Sequence, residues 1–315
     1  MQKVKLYNYR ILITGASGFL GGNLARYLLP TSTVIAQGNR YAPQIPECIC
    51  VKCDLTNPQG VKRLIAEHTP TFVVHCAAMT SPDLCAKEPV KARQINTDAT
   101  EYIVEYANAV DAPVLFLSTD LVFDGSKGSL YTESDTPNPV NLYGETKLAA
   151  EDIVLKGINA NTVFRIALSY GIFMHGAHGG YLDLLLSAFD RNDKQRLYTD
   201  QYRTPLFSGD FCRAVVNLIL AVINGCSEKK SRLYHICGAE RMSRYEFGYM
   251  VASVHEKSHN LIIPSIMSAN PTAQPRGADC ALSCELARRE LNFTPNSVKE
   301  NLLYDKQIRK ETKLP

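Results

Sequence analysis

The sequence predicts an α/β protein built on a doubly wound parallel sheet of the Rossmann type, with a smaller C-terminal lobe interleaved with it. Two observations support this prediction. The first half of the chain alternates short apolar, β-branched runs with amphipathic stretches, which is typical of parallel strands covered by helices on both faces. A glycine-rich turn, Gly15 to Gly21, joins the first apolar run to the first amphipathic stretch, as in folds of this class.

The spacing of apolar residues predicts each element of the first half in turn. In the first helix, Leu20, Leu24 and Leu28 recur at helical intervals, so they share one buried face. The β-branched apolar runs are too short for helices and are therefore assigned to strands. The predicted strands are 10–14, 34–36, 48–53, 72–75, 114–118 and 162–166, and the predicted helices are 19–29, 61–68, 97–109 and 143–155.

After residue 168 the alternation loosens, which predicts a second lobe woven into the first. A strand at 233–237 is expected to return to the main sheet, and Ser243 and Glu246 form a capping box for a helix running to Val254. We assign residues 1–168, with 205–240 returning, to the Rossmann domain, and 169–204 with 241–315 to a substrate-binding lobe. The lobe's other predicted elements are loops at 176–180 and 264–275, helices at 181–190 and 210–223, and a final helix at 284–291.

The composition narrows the classes of function. The 315 residues are 45% hydrophobic and 21% charged, with a formal net charge of +3, which is ordinary for a globular protein. The densest basic cluster, Lys229, Lys230 and Arg232, is short, so we expect neither a nucleic-acid nor a membrane partner. No run has the length of a membrane span or a signal peptide. Ten cysteines are too few for a disulfide scaffold, so we expect a cytoplasmic protein.

The glycine turn predicts a dinucleotide site. Gly15, Gly18 and Gly21 stand three residues apart between a strand and a helix. That spacing permits a tight turn, a close approach of pyrophosphate to the backbone, and close helix packing, while the helix N-terminus attracts the anion. We therefore expect the first domain to bind NAD or NADP.

The end of the second strand favours NADP over NAD. The acidic residue that holds the ribose of NAD is missing from the segment around Asn39. Arg40 is placed to meet a 2′-phosphate, although an ordinary surface arginine is the alternative. Asp54, followed by Leu55, is predicted to bond the adenine edge or, alternatively, to cap the turn before Thr56.

Tyr143 and Lys147 are candidate catalytic residues. They stand four residues apart and so share one face of the predicted helix. A free tyrosine loses its proton near pH 10, but a neighbouring ammonium lowers that pKa and makes Tyr143 a credible proton donor to a carbonyl. Thr119 follows a strand at the carboxyl edge of the sheet, where its hydroxyl can bond the carbonyl oxygen.

These motifs together resemble the extended short-chain dehydrogenases/reductases, and within them the dTDP-4-dehydrorhamnose reductase group. The resemblance covers nearly the whole chain. The segments that carry it are the glycine turn, Ser118 to Gly125, Asn141 to Leu148, Arg165, Cys76 to Ala78, Asp83 to Pro89 with Asn96, Asp200 to Pro205, Tyr234 to Gly238, and Ser243 to Phe247.

The resemblance implies an NAD(P)H-dependent reductase that delivers hydride to C4 of a nucleotide-linked 4-keto-6-deoxy sugar. In this role Thr119 orients the carbonyl, Tyr143 donates the proton, and Lys147 tunes Tyr143 and bonds the nicotinamide ribose. The implied partner is the small-molecule nucleotide sugar, and a homodimer is left open. The expected cofactor-binding residues are Gly15, Ser17, Gly18, Phe19, Leu20, Gly21, Asn39, Arg40, Asp54, Leu55, Cys76, Ala77, Ala78, Tyr143, Lys147 and Arg165.

Two departures from the family pattern concern the substrate. The family has a tryptophan where this chain has Leu168, and an aromatic residue where it has Met79; the chain contains no tryptophan. Reduction is compatible with both changes, but rhamnose specificity is put in doubt. The expected substrate residues are Met79, Thr119, Asp120, Leu168, Arg203 and Arg276, the two arginines because a diphosphate needs cationic groups. Surface arginines are the alternative for both.

No metal site is expected. Cys48, Cys50 and Cys53 alternate along a strand without a second half of a zinc site. His175 and His178 lie in a glycine-rich loop and lack a third ligand, so polar loop residues or contacts to substrate hydroxyls are the two interpretations.

Two other functions compete with the reductase. The β subunit of methionine adenosyltransferase resembles the same group and acts by binding a partner enzyme; this chain shares Asn141 to Leu148 and Gln274 to Arg276 with it. An epimerase or dehydratase on the same scaffold is less favoured, because dehydration needs an Asp-Glu pair where Thr119 is followed by Asp120 and Leu121.

Overall fold

A computed structural model describes residues 8–157, 159–171, 180–223, 231–270 and 274–312. The expected histidines His175 and His178, and with them most of the loop at 176–180, lie outside the described residues. The strands are β1 (Arg10–Thr14), β2 (Thr33–Gly38), β3 (Ile49–Lys52), β4 (Phe72–His75), β5 (Val114–Thr119), β6 (Thr162–Ile166), β7 (Ser169–Tyr170), β8 (Gln195–Tyr198), β9 (Tyr202–Arg203), β10 (Leu206–Phe207), β11 (Arg232–Ile236), β12 (Met242–Ser243) and β13 (Ile262–Ser265).

The helices are α1 (Phe19–Leu28), α2 (Pro58–His68), α3 (Pro82–Lys87), α4 (Pro89–Arg93), α5 (Ala99–Asn108), α6 (Leu142–Leu155), α7 (Tyr181–Asp190), α8 (Ser208–Ile223), α9 (Arg244–Val254), α10 (Glu285–Leu291) and α11 (Val298–Thr312). Each predicted helix begins and ends within three residues of its predicted bounds, whereas α3, α4 and α11 were not predicted. A π-turn, Gln94–Asp98, precedes α5, and single 3₁₀ turns span Asp120–Val122, His259–Leu261 and Met267–Ala269. The segment 264–275, expected as a loop, therefore contains the end of β13 and one of these turns.

The main sheet confirms the predicted doubly wound Rossmann fold. Its seven strands run in the order β11-β6-β5-β4-β1-β2-β3, and every pair is parallel. The strand order reverses between β1 and β4, where open α/β sheets bind ligands outside their carboxyl ends. As predicted, the returning strand β11 joins the edge of the sheet beside β6.

Helices bury both faces of this sheet. One hydrophobic cluster joins Ile11, Ile13 and Val74 to Phe211 and Ile219 on α8. A second cluster covers the opposite face with residues of α2, α5 and α6. Because strands buried on both faces must be apolar throughout, the short apolar runs of the sequence were sufficient to predict them.

A third hydrophobic cluster, which we use to define the C-terminal lobe, centres on Tyr170, Phe189, Phe207 and Phe247. Phe207 packs in this cluster although it lies in the segment 205–240 that was assigned to the Rossmann domain. Three two-stranded ribbons surround the cluster: β7 with β10, β8 with β13, and β9 with β12. The prediction that residues 284–291 form the final helix is wrong. The helix α11 follows, and its buried residues Val298 and Leu302 pack into the lobe cluster.

Candidate active site

A cleft of about 830 Å³ opens at the carboxyl edge of the sheet, between the glycine turn and the C-terminal lobe. Thr119, Tyr143 and Lys147 all line it. Besides Tyr143 and Lys147, twelve of the other fourteen expected cofactor residues line it, namely Gly15, Ser17, Gly18, Phe19, Leu20, Gly21, Asn39, Asp54, Leu55, Cys76, Ala77 and Ala78. The residues expected at the substrate, Met79, Asp120, Leu168, Arg203 and Arg276, line the same cleft.

The glycine turn packs too closely for side chains. Gly15 has φ +65°, and a Cβ there would lie 2.8 Å from the backbone of Ala77. A Cβ at Gly21 would lie 2.6 Å from the carbonyl oxygen of Gly15. The turn therefore presents bare backbone to the cleft, and α1 begins directly after it at Phe19. A surface of this kind, at the start of a helix, fits the pyrophosphate of a dinucleotide.

Gln37 occupies the end of β2 and holds the turn. Its Oε1 accepts from the backbone N–H of Gly15 at 2.9 Å, and its Nε2 donates to the carbonyl of Cys53 at 2.6 Å. Gln37 also lines the cleft, next to Asn39, whereas Arg40 is exposed and lies outside the lining residues. Asp54 takes the capping alternative: its Oδ1 accepts from the backbone N–H and hydroxyl of Thr56.

A buried histidine, His75, holds the backbone next to the glycine turn. Thr100 donates its hydroxyl to the carbonyl of Asn96, so its oxygen accepts from Nε2 of His75 at 3.1 Å. Nδ1 of His75 then accepts from the Thr14 hydroxyl at 2.7 Å, and the Thr14 oxygen accepts from the N–H of Ala77. Burial lowers the pKa of His75 to about 3. The imidazole is therefore neutral, and it fixes the backbone beside the turn.

Local packing sets the position of Tyr143. Asn141 caps α6 by accepting from the N–H of Gly144 at 2.9 Å. A Cβ on Gly144 would collide with the carbonyl oxygen of Leu121, so this glycine lets α6 lie directly on the 3₁₀ turn that follows Thr119. As a result, the hydroxyl of Tyr143 comes within hydrogen-bonding reach of Thr119.

Burial dominates the protonation of the Tyr143 and Lys147 pair. The pKa of Tyr143 is raised, chiefly by burial, and only hydrogen bonding with the Thr119 hydroxyl opposes the shift. Burial lowers the pKa of Lys147 to about 7, against the carboxylate of Glu151, which raises it. The Lys147 ammonium lies 3.9 Å from the centroid of the Phe116 ring. Lys147 is not among the groups that shift the pKa of Tyr143, so the expected lowering of that pKa by Lys147 is not seen.

Arg165 lies behind the cleft wall and is not one of the residues that line it. Its guanidinium donates to Glu151 through Nε at 3.0 Å and Nη2 at 2.6 Å, and both side chains are buried. The hydroxyl of Ser118 donates to the same carboxylate. This placement corrects the expected cofactor contact: Arg165 neutralises Glu151 beneath Lys147, as a support of the strand.

Two of the three arginines at the lobe end of the cleft are already paired. Nε of Arg203 donates to Asp120 at 3.0 Å, and its other nitrogens donate to backbone carbonyls. Nη2 of Arg276 lies 2.6 Å from a carboxylate oxygen of Asp83. The third, Arg244, was not recognised from the sequence except as the first residue after a helix cap.

The hydroxyl of Thr119 is held by the same network. It donates to Oδ1 of Asp120 at 3.1 Å and accepts from the N–H of Leu121 at 3.2 Å. Burial raises the pKa of Asp120, against the nearby charge of Arg203. The pair of Asp120 and Arg203 thus links the candidate catalytic threonine to the lobe.

No group of three or more histidine, cysteine, aspartate or glutamate side chains is arranged to hold a metal ion among the described residues. Cys48, Cys50 and Cys53 are free thiols. None of the described helices is both long and apolar enough to cross a membrane.

Comparison with known proteins connects this cleft to a family. The model of the RmlD substrate binding domain matches residues 9–306. Methionine adenosyltransferase 2 subunit β of Bos taurus is 31% identical over 284 residues, which cover 89% of this chain and 83% of the relative. The dTDP-4-dehydrorhamnose reductase of Sinorhizobium fredii is 27% identical over 283 residues, covering 89% and 90%.

Solved structures show the same fold. The crystal structure of dTDP-4-dehydrorhamnose reductase from Bacillus anthracis in complex with NADP superposes with a TM-score of 0.82 at 24% identity, covering 97% of this chain and 100% of that one.

Proposed function

This chain belongs to the family of the RmlD substrate binding domain, within the extended short-chain dehydrogenases/reductases, and we propose that it reduces a nucleotide-linked 4-keto-6-deoxy sugar with NAD(P)H. One observation carries the proposal: the glycine turn and the side chains of Thr119, Tyr143 and Lys147 line a single cleft. A dinucleotide bound at the turn and a carbonyl beside Tyr143 would thus share one enclosure.

The roles of the side chains follow from their protonation. A nicotinamide dinucleotide bound at the glycine turn would supply the hydride for the carbonyl carbon. Because its pKa is raised, Tyr143 is fully protonated at neutral pH and can give its phenolic proton to the carbonyl oxygen, which completes the alcohol. Thr119 holds that oxygen once its hydroxyl turns from Asp120 to the substrate. Lys147 bonds the ribose and stabilises the phenolate that Tyr143 leaves.

The direct test is a screen of NADPH oxidation with a panel of nucleotide-linked 4-keto sugars. We expect loss of absorbance at 340 nm with at least one 4-keto-6-deoxy sugar, and a matching alcohol product. Since Leu168 and Met79 line the cleft where the family has aromatic residues, the preferred sugar is expected to differ from 4-keto-rhamnose. No oxidation with any member of the panel would contradict the proposal.

We further propose that NADP is preferred over NAD. The end of β2 carries Gln37 in place of an acid, and the exposed Arg40 follows it without an ion pair among the described residues. Arg40→Ala is expected to weaken NADPH binding about ten- to a hundredfold and to leave NADH unchanged, since a charged hydrogen bond is worth about 1.5–3 kcal/mol. Fluorescence titration of both cofactors at fixed salt measures this.

Arg289→Ala is the matched control for this test, because Arg289 is an exposed arginine of α10 outside the cleft. It should bind both cofactors like the native chain. Equal affinities for NADH and NADPH in the native chain, or an unchanged Arg40→Ala variant, would refute the preference.

Arg203 and Arg276 remain the residues proposed for the substrate diphosphate, and their contacts favour Arg276. Most N–H groups of Arg203 already donate to Asp120 and to carbonyls, whereas Arg276 has one carboxylate partner that is 45% exposed. Arg276→Ala should raise KM about thirtyfold, equivalent to ~2 kcal/mol. Arg203→Ala should mainly lower kcat, because it frees Asp120 beside Thr119. Steady-state kinetics separates the two, and unchanged KM in Arg276→Ala would refute the contact.

A cofactor-binding regulatory subunit is the second candidate, favoured by the 31% identity to a methionine adenosyltransferase subunit β. Affinity purification from the source cells, followed by mass spectrometry, distinguishes the two. A bound synthetase, together with inactivity on every keto sugar, would favour the regulatory role.

A further inference from the structure

Arg244 is held rigidly at the lobe end of the cleft. It is the first residue of α9, directly after the strand β12, which pairs with β9 so that Ser243 lies opposite Tyr202. Its backbone N–H donates to the carbonyl of Gln201 at 3.0 Å, and its Nε donates to Oε1 of the same residue at 3.1 Å. The guanidinium carbon lies 4.5 Å from the centroid of the Tyr181 ring. Both the backbone and the plane of the guanidinium are therefore fixed.

Arg244 differs from the neighbouring arginines because its charge has no carboxylate partner among the described residues. Arg203 is paired with Asp120 and Arg276 with Asp83, but Arg244 makes no ion pair with a carboxylate among the described residues. Its Nη1 is buried and has no hydrogen-bond partner in the described chain. A buried donor of this kind is costly unless a ligand satisfies it.

The position of this nitrogen sets it apart from other buried guanidinium nitrogens. Those of Arg26, Arg165 and Arg232 also lack partners among the described residues, but these three arginines do not line the cleft. Arg244 does. Thus, of these four arginines, only Arg244 belongs to the wall of the space that a ligand enters. Its charge interacts there with those of Asp120, Arg203 and Arg276.

We propose that Arg244 binds a phosphate oxygen of the nucleoside diphosphate in the substrate, and so selects substrates that carry this group. The inference rests on the proposed function. Arginine is suited to the task because its planar fork keeps its charge and bonds phosphate oxygens with fixed geometry. The dinucleotide also carries phosphates, but its pyrophosphate belongs at the glycine turn, so Arg244 is assigned to the substrate.

Calorimetric titration of the full chain with dTDP and UDP tests this without turnover. Arg244→Gln keeps a polar side chain that can still bond Gln201 but removes the charge and the fork. The native chain is expected to bind dTDP, UDP or both. For each diphosphate that it binds, Arg244→Gln should weaken the affinity about ten- to a hundredfold. Arg244→Lys keeps the charge without the fork, so its affinity for the diphosphate should lie between those of the native chain and Arg244→Gln. Thymidine and uridine should bind all proteins alike.

Arg196→Gln is the control, since Arg196 is an exposed arginine of β8 in the same lobe and its loss changes the net charge equally. It should bind like the native chain. The thermal midpoint of each variant shows whether it is folded. If Arg244→Gln is unfolded, Arg244→Lys replaces it as the test variant.

The outcomes separate the two ideas. Native-like diphosphate affinity in a folded Arg244→Gln variant, with reduction of keto sugars intact, would overturn the role of Arg244 alone. Weakened NADPH binding with unchanged diphosphate binding would assign the residue to the cofactor and overturn it as well. A native chain that binds neither dTDP nor UDP would overturn both this inference and the proposed function.

Discussion

Tyr143→Phe is expected to lower the rate of carbonyl reduction by roughly two to four powers of ten, the usual effect of removing a positioned general acid. Phenylalanine keeps the ring, which packs beside Met79 and Cys85, and removes only the proton donor. Folding and cofactor affinity should therefore be preserved. Single-turnover kinetics with saturating NADPH measures the chemical step directly.

Thr119→Val gives a second variant for the same mechanism. Valine matches the shape of threonine and removes the hydroxyl that bonds Asp120 and the N–H of Leu121. The rate should fall while the affinity for NADPH stays the same. If Tyr143→Phe reduces its substrate at nearly the native rate, the assignment of Tyr143 as the acid is wrong.

Lys147→Met should lower both kcat and cofactor affinity, because the ammonium is assigned two contacts, one to the ribose and one to the phenolate. We expect a rate loss of roughly two powers of ten or more. Methionine fills similar volume against the Phe116 ring, so the core should be retained. Parallel measurement of kcat and of NADPH affinity by fluorescence tests both parts, and loss of only one would show that Lys147 has a single role.

The free energy of unfolding of this variant should depend on pH differently from that of the native chain. Lys147 has a pKa of about 7 in the folded chain, below its ordinary value of 10.5, so between these values the unfolded chain binds more protons. The free energy of unfolding must then rise with pH across this window, by at most ~1.4 kcal/mol per pH unit for one group. Below pH 7 the native chain carries the full cost of a buried charge.

Lys147→Met removes this contribution, so its free energy of unfolding should exceed that of the native chain at pH 6 and approach it toward pH 10. Urea unfolding without cofactor at pH 6, 8 and 10 measures the difference between the two proteins, in which the other titrating groups cancel. A constant difference across the series would show that the pKa of Lys147 is not lowered by folding.

Much of the fold was predictable because its patterns are local. The strands that are buried on both faces appear as apolar runs, and Ser243 with Glu246 forms the predicted capping box. The helix α11 was missed because most of its residues are charged or polar and only a narrow stripe is buried. The short helices α3 and α4, each beginning with a proline, were missed because a few residues show no helical period.

The candidate site was likewise predictable where its motifs are local and not where distant segments meet. The glycine turn and the pair of Tyr143 and Lys147 are local motifs, so their spacing, together with the strands and helices around them, predicted a dinucleotide site and a catalytic pair. Contacts between distant segments had no such pattern. Arg244 meets Gln201 only because β12 pairs with β9, and Arg165 meets Glu151 across α6 and β6. Asparagine or glutamine at the end of β2 could have suggested a structural use for Gln37, but not its bond to Gly15.

The return of the chain to the sheet has a consequence for synthesis on the ribosome. The strand β6 is complete at Ile166, yet its outer edge is paired only when β11, which ends at Ile236, has emerged. Until then the nascent sheet presents a row of free backbone N–H and C=O groups, which other chains can pair with. The lobe segment made in between delays closure of that edge. We therefore expect this edge to be most open to pairing with other chains in nascent chains of intermediate length.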